Sequence, residues 1–227
     1  MAGRDRRASP SEGRPPAAEA PAGAAQAKAA HERAVRTACE ARDYDLATAT
    51  GLKLYGAEIF GLLIALHKDR DEADDAFSLF AERFWRTLSR FAWRSSLRTW
   101  VYQLARNASA DVGREVRRQD RRRGPLSANA TVQQAVERAR TETISMLRTP
   151  NRNQLERLRY ELDEEDRLLL VLRVDRELPW RELACIVSNL PEDVAEEVVA
   201  REGARLRKRY QLLKERLRKM ARERGLI

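Results

Sequence analysis

Cysteine and histidine are scarce in this chain of 227 residues: there are two of each, Cys39 and Cys185, His31 and His67, all far apart. That scatter excludes a clustered zinc site and a disulfide framework. With no glycine-rich phosphate loop and no nucleophile motif either, acid–base and covalent catalysis lack their parts. The chain is therefore read as a non-enzyme with no metal and no cofactor, and both cysteines as buried structural thiols in a reducing compartment. Strictly alternating Val-Ile-Thr runs are missing, which argues against a sheet. No apolar run approaches the roughly 20 residues that cross a bilayer, and the N-terminus lacks the apolar core of a secretion signal. No membrane insertion and a cytoplasmic location are expected.

What is abundant is charge. Lys and Arg number 44 against 35 Asp and Glu, a formal net charge of +9, which favours a polyanionic partner. Residues 1–26 are Ala, Pro, Gly, Arg and Ser with no large apolar residue beyond Met1, a composition that predicts a disordered tail. From 27 to 123 the pattern is helical, with breaks at Arg42-Asp43, at His67 to Asp69 and at Trp93 to Ser96. Leu52 to Leu66 (LKLYGAEIFGLLIAL) reads as the central core helix despite Gly56 and Gly61. In the next helix Ala73, Phe77, Phe80, Phe84, Leu88 and Phe91 mark the buried stripe, and Asp71, Glu72, Asp74 and Asp75 sit where the helix dipole favours carboxylates. Trp85 is read as core.

The most informative stretch runs from Arg90 to Arg123. Leu97, Val101, Leu104, Ala108 and Val112 recur at steps of three or four, so one face is buried while Trp100, Gln103, Arg106 and Asn107 lie off it. Arg114, Arg117, Arg118, Arg121 and Arg122 then form a basic ridge able to follow a phosphate backbone, or simply a solvated face. Aromatic faces beside guanidinium groups suit unstacked bases, each stacking contact being worth roughly 1–3 kcal/mol.

Residues 124–153 are polar, with Pro125 and Pro150 and a weak helical patch around Val132 to Leu147, and read as a linker. A second helical block, 154–227, opens with Asp163 as N-cap and Asp166 as its capping-box partner. A short helix starts at Pro179, with Leu183, Ile186 and Val187 inward. A basic helix follows from about Gly203 to Arg224, with Leu206, Tyr210, Leu213, Leu217 and Met220 as its apolar seam. A short helix before a basic one suggests a helix-turn-helix. The fold class is all-α: two small helical domains on a flexible linker.

These blocks resemble the sigma-70 family of bacterial RNA polymerase specificity subunits, and in particular its small extracytoplasmic-function group. Asp69-Arg-Asp-Glu-Ala-Asp-Asp-Ala76 followed by Trp85 is similar to region 2.2, and Arg90-Phe91, Arg94-Ser-Ser-Leu-Arg-Thr-Trp-Val-Tyr102 and Leu104-Ala-Arg-Asn107 to regions 2.3 and 2.4. Leu162 to Arg173, Leu178 to Val187 and Leu206-Arg-Lys-Arg-Tyr210 resemble region 4 and its recognition helix. The resemblance implies that Asp71, Glu72, Asp74, Asp75, Ser78, Leu79 and Glu82 meet a coiled coil of the polymerase's largest subunit. It implies that Arg94, Ser95 and Ser96 receive a base extruded from the minus-10 element, and that Trp100, Gln103 and Asn107 reach bases or sugars. Arg106, Arg114, Arg117 and Arg118 would hold phosphates, and Arg98 is grouped with this minus-10 set. Arg205, Arg207, Lys208 and Arg209 would enter the major groove of the minus-35 element. Promoter DNA, polymerase core and an anti-sigma factor are the implied partners.

Two departures stand out. Ser78-Leu79 occupies the place of the family's usual Gln-Glu pair. Between Val187 and Arg205 the chain exceeds the family's tight turn by about a dozen residues, and that piece is acidic. It could form an additional short helix with Val194, Val198 and Val199 inward, the preferred reading, or extend the last helix through Gly203. A DNA-binding regulator that works without polymerase is the main alternative function, and a basic RNA-binding helical protein is a third.

Overall fold

Asp43 accepts a hydrogen bond from the Leu46 amide (3.0 Å) and so opens the most apolar helix of the chain, around which the rest is assembled. The structure, a computed structural model, describes residues 22–115, 129–147 and 158–226. In order they form α1 (Ala22–Glu40), α2 (Tyr44–Leu66), α3 (Arg70–Thr87), α4 (Leu97–Glu115), α5 (Ala130–Leu147), α6 (Glu164–Leu170), α7 (Trp180–Val187) and α8 (Glu196–Glu223). A single 3₁₀ turn (Leu88–Arg90) follows α3, and a wider π-helical turn (Val171–Asp175) prolongs α6. Among the described residues there is no strand, and the fold is all-helical. The predicted breaks fall between α1 and α2, between α2 and α3, and before α4.

Helix α2 is longer than its apolar run suggested and reaches the length and composition that could cross a membrane. Here it is a core helix: Leu52, Tyr55, Ile59, Phe60, Leu62 and Leu63 are all buried, against α1, α3, α4 and α5. Its glycines are points of close approach. A Cβ at Gly51 would lie 2.5 Å from the Phe84 ring of α3, and one at Gly56 would lie 2.6 Å from Ala139 Cβ of α5. The α3 stripe is buried as its spacing predicts, and its phenylalanines extend an aromatic row: Phe60, Phe77, Phe80 and Phe84 follow one another at ring-centroid distances of 4.9, 5.8 and 5.9 Å. Trp85 is half-buried, and its indole N–H donates to Asp45 (2.7 Å).

Four readings of the sequence need correction. Of the predicted tail, residues 1–21 lie outside the described residues, whereas Ala22 onward is already helical, in α1. The predicted linker contains α5, while 124–128 and 148–153 lie outside the described residues. Asn129 caps α5 by accepting from the Thr131 and Val132 amides (3.1 and 3.2 Å). Val132, Val136, Ala139 and Thr143 then turn to α2, where the Thr143 hydroxyl reaches both Ala57 O (3.1 Å) and Ala139 O (2.8 Å). Small side chains gave this stripe a weak apolar signal, and its partner glycine makes it sufficient. Thirdly, Asp163 does cap α6, accepting from the Asp166 amide (2.8 Å), but the Asp166 carboxylate pairs with Arg209. Finally, the acidic piece extends the last helix, which starts at Glu196 and runs through Gly203. Val199 is buried, and Gly203 lies against the Trp180 carbonyl, where a Cβ would be 3.4 Å from the oxygen.

The C-terminal block packs onto the first. One cluster of buried apolar side chains runs from Val35 of α1 through α2, α3 and α4 to Leu168, Leu183, Ile186 and Leu206. Arg167, almost fully buried, joins the two parts by donating to Leu66 O at the end of α2, to Leu162 O (3.0 Å) and to Arg159 O (3.1 Å). A guanidinium suits that position because the last carbonyls of α2 have no partner within their own helix.

Gly56→Ala is expected to destabilise the protein by about 1–3 kcal/mol despite alanine's better helix propensity, because neither backbone-attached methyl can yield. Adding Ala139→Gly should recover most of that loss in urea unfolding. A stabilising Gly56→Ala would show that α2 and α5 do not meet at this glycine.

Candidate nucleic-acid interface on α4

The site is built on α4 and the loop before it. Ser96 caps the helix: its hydroxyl accepts from the Thr99 amide (3.0 Å), contacts the Thr99 hydroxyl (2.8 Å), and its carbonyl receives the Trp100 amide (3.1 Å). In the loop, Trp93 adopts the left-handed backbone region (φ 58°), a conformation that costs a non-glycine residue about 1–2 kcal/mol. It is held by Phe91 (4.8 Å between centroids) and by the Arg36 guanidinium over its ring (5.5 Å). Trp100 is half-buried, 4.5 Å from Phe91 and 5.6 Å from Phe84, so the aromatic row of the core continues to the loop at the surface. Such a row fixes the loop's position relative to the interior. Arg94 and Ser96 are exposed and Ser95 is half-buried.

The rotation of α4 is set by a carboxylate that the sequence reading passed over. Glu58 of α2 accepts from the Tyr102 hydroxyl (2.6 Å) and from Arg98 Nη2 (2.7 Å) on α4, and pairs with Lys28 of α1 (3.2 Å). Burial alone would raise the Glu58 carboxyl, but the hydrogen bonds from Tyr102 and Arg98 and the charges of Arg98 and Lys28 outweigh it and hold it down at about 2. Burial and the same carboxylate push the Tyr102 hydroxyl up. Glu182 of α7 lies near this cluster, and there burial prevails and its carboxyl is pushed up. A lone glutamate inside LKLYGAEIFGLLIAL was the available signal, since a buried charge needs a partner.

Not every predicted contact residue faces outward. Arg98 turns inward to Glu58 and also reaches Arg176 O (3.3 Å). Gln103, read as lying off the buried face, is 9% exposed, because its amide donates to Cys185 O (2.9 Å) within α7 and to Leu190 O (2.8 Å) just after it. Asn107 donates to Asn189 Oδ1 (3.1 Å) and accepts from Arg106 (3.2 Å). Arg114 is exposed and pairs with Asp111, whose carboxyl is held low by Arg114 and Arg83 against the effect of burial. Arg117 and Arg118, with the rest of the arginine run, lie outside the described residues.

On α3, Asp71 is exposed, Glu72 meets His67 (3.1 Å), and Glu82 pairs with Arg86 (2.9 Å). Asp74 and Ser78 are covered by Arg140 of α5, at 3.1 and 2.8 Å, while Asp75 and Leu79 are half-buried. On α8, Arg205, Arg207 and Lys208 are exposed, with Arg205 bonded to Glu202 (2.8 Å) and Arg207 over the Trp180 ring (5.8 Å). Arg209 is turned the other way. It lies on the Leu206–Leu213 side of α8 and is engaged by Asp163, Glu165 and Asp166 at the start of α6. Both cysteines are half-buried, and burial pushes both thiols up, which keeps them protonated.

Fold and site together define an all-helical scaffold in which a hairpin, α3 and α4, carries an aromatic row from the core to a strained surface loop. Residues 52–122, from within α2 through α4 and beyond, match the family model for sigma-70 region 2. A search of curated proteins finds no match to the chain.

Because the Glu58 carboxyl is held below its ordinary value near 4.5, its contribution to stability is complete above that pH and is lost as pH falls toward about 2. Glu58→Gln should lower stability by about 2–3 kcal/mol at neutral pH, with the gap to wild type closing between about pH 4.5 and pH 2 in urea unfolding. A gap that stays constant across that range would show that the carboxylate charge is not what anchors α4.

Proposed function

We propose that this chain is a sigma-70 family factor of the extracytoplasmic-function group, which binds bacterial RNA polymerase core and directs promoter recognition, DNA melting and initiation. The observation that carries this reading is the coincidence of the region 2 match with the hairpin whose aromatic row ends at the Trp93–Ser96 loop. Melting on this reading is base capture. Extracting a base costs a few kcal/mol, and a pocket with aromatic and hydrogen-bonding walls returns that energy for the right base. Arg94, Ser95 and Ser96 line the pocket, Trp100, Gln103 and Asn107 meet the strand, and Arg106 and the arginines from Arg114 on follow the backbone. Of the minus-35 set, Arg205, Arg207 and Lys208 are exposed on α8 and able to reach bases and phosphates. Two weak readers on one chain reinforce each other through effective concentration. The acidic α3 meets polymerase core, and an anti-sigma partner follows from the family resemblance. The factor works in the cytoplasm, where polymerase is.

The alternative, a regulator acting on DNA without polymerase, is favoured by one observation: Arg140 covers Asp74 and Ser78 on the helix face that would meet core. Mixing the purified chain with bacterial core polymerase and a promoter library separates the two. New start sites are expected, and duplex DNA binding with no core complex would leave the regulator standing. Within the complex, Trp100→Ala should reduce promoter opening by about tenfold, one lost stacking contact, with closed-complex binding nearly unchanged. Arg207→Ala should weaken promoter engagement throughout. Equal permanganate reactivity of wild type and Trp100→Ala would contradict the role given to Trp100.

A further inference from the structure

The connection from α7 to α8, residues 188–195, lies against the face assigned to the promoter strand. Gln103 gives its amide to the loop carbonyl Leu190 O (2.8 Å) and, one turn back in α7, to Cys185 O (2.9 Å). Asn107 donates to the side-chain oxygen of Asn189, which the left-handed backbone at that residue (φ 48°) presents. Asp193 faces Arg94 at 3.8 Å, and the half-buried Glu192 lies beside the Ala92 and Arg94 backbone. Each contact stands where a nucleic acid would make one: carbonyl oxygens for base acceptors, an amide for a base edge, carboxylates for phosphates. The same side chains cannot serve the loop and a strand at once.

We propose that residues 188–195 are a built-in competitor for opened DNA, seated on α4 and the Trp93–Ser96 loop in the free chain and displaced when a strand is captured. The proposal rests on the reading of α4 as the strand-binding helix. Displacement is within reach because the contacts are polar and, apart from the buried Gln103, lie toward the surface. Arg94 and Asp193 are each more than 60% exposed, so their pair contributes little. Of the loop's apolar residues, Pro191 and Ala195 are exposed and Leu190 and Val194 are half-buried, so none is a fully buried anchor. Net hydrogen bonds of about 1 kcal/mol each make a closed state that dominates the free chain and still yields to a ligand.

The test is binding of a fluorescein-labelled, random-sequence single-stranded DNA pool to the full chain, read by anisotropy. If the open form is about one tenth of the free population, the apparent affinity is lowered about tenfold. The variant Asn189→Gly with Glu192→Ser and Asp193→Ser keeps the backbone freedom at 189 and removes the competing side chains, leaving only the backbone contacts of Gln103, and should bind about tenfold tighter. Glu215→Ser with Glu223→Ser makes the same change in charge near the far end of α8 and should gain less than about twofold. Equal gains in the two variants, or none in the first, overturn the proposal. Should the triple variant fail to fold by circular dichroism, Asn189→Gly alone decides, with about a threefold gain expected for one lost hydrogen bond and no gain overturning the idea. Initiation with core polymerase is scored separately. Its absence in wild type and loop variant alike would sink the sigma reading, while a tenfold gain in DNA binding would still support the loop as the cover of this face.

Discussion

Everything at the candidate interface depends on the Glu58 carboxylate in the middle of α2. A charge in that position is unfavourable unless it is satisfied, and it is satisfied from α4 by Tyr102 and Arg98 and from α1 by Lys28. A helix packed only by small and aliphatic side chains has several rotations of similar energy, but these hydrogen bonds select one. Once Tyr102 points at Glu58, Gln103 and Asn107 must face the α7–α8 connection, and Trp100 must join Phe84 and Phe91. The loop before α4 inherits its position from that aromatic row, and Trp93 holds a strained backbone on it. Strain of this kind persists where surrounding packing over-determines it, as at binding sites.

The second constraint is the way the C-terminal block is seated. A buried arginine, Arg167, caps the end of α2, and α7 packs against α4, so the described helices share one core. The face of α4 that the family resemblance assigns to DNA is thereby the face that the α7–α8 connection covers, and α5 covers part of the α3 face assigned to polymerase. Work on a promoter on the sigma reading then requires the closed arrangement to open, with binding energy from polymerase and DNA replacing the polar contacts within the chain.

Much of the fold was legible because long periodic stripes declare themselves: the α3 phenylalanines, the α4 aliphatics and the α8 seam lie where their spacing put them. Helix α5 was not, because its buried face is made of Val132, Val136, Ala139 and Thr143, side chains too small to stand out until Gly56 is known to lie opposite. The site was half legible. Arginine, amide and indole groups mark α4 as a polar binding helix, but composition does not say which arginine is held inside. Arg98 sits between the buried Leu97 and Thr99 and Arg209 follows the exposed Arg207 and Lys208, yet each is turned inward by carboxylates from distant segments, Glu58 and the Asp163–Asp166 turn. Periodicity gives the face of a helix, whereas pairing across the fold decides which charges remain available on it.

The central claim is that one set of side chains on α4 serves the chain's own acidic loop in the free protein and promoter DNA in the working complex. It is tested most directly by energy transfer between dyes placed at Ser89→Cys and Glu197→Cys, in a chain whose two native cysteines are replaced by serine. High transfer in the free chain that falls when polymerase core and promoter DNA are added together is the predicted result. Transfer that is low from the start, or unchanged in the complex, would contradict it.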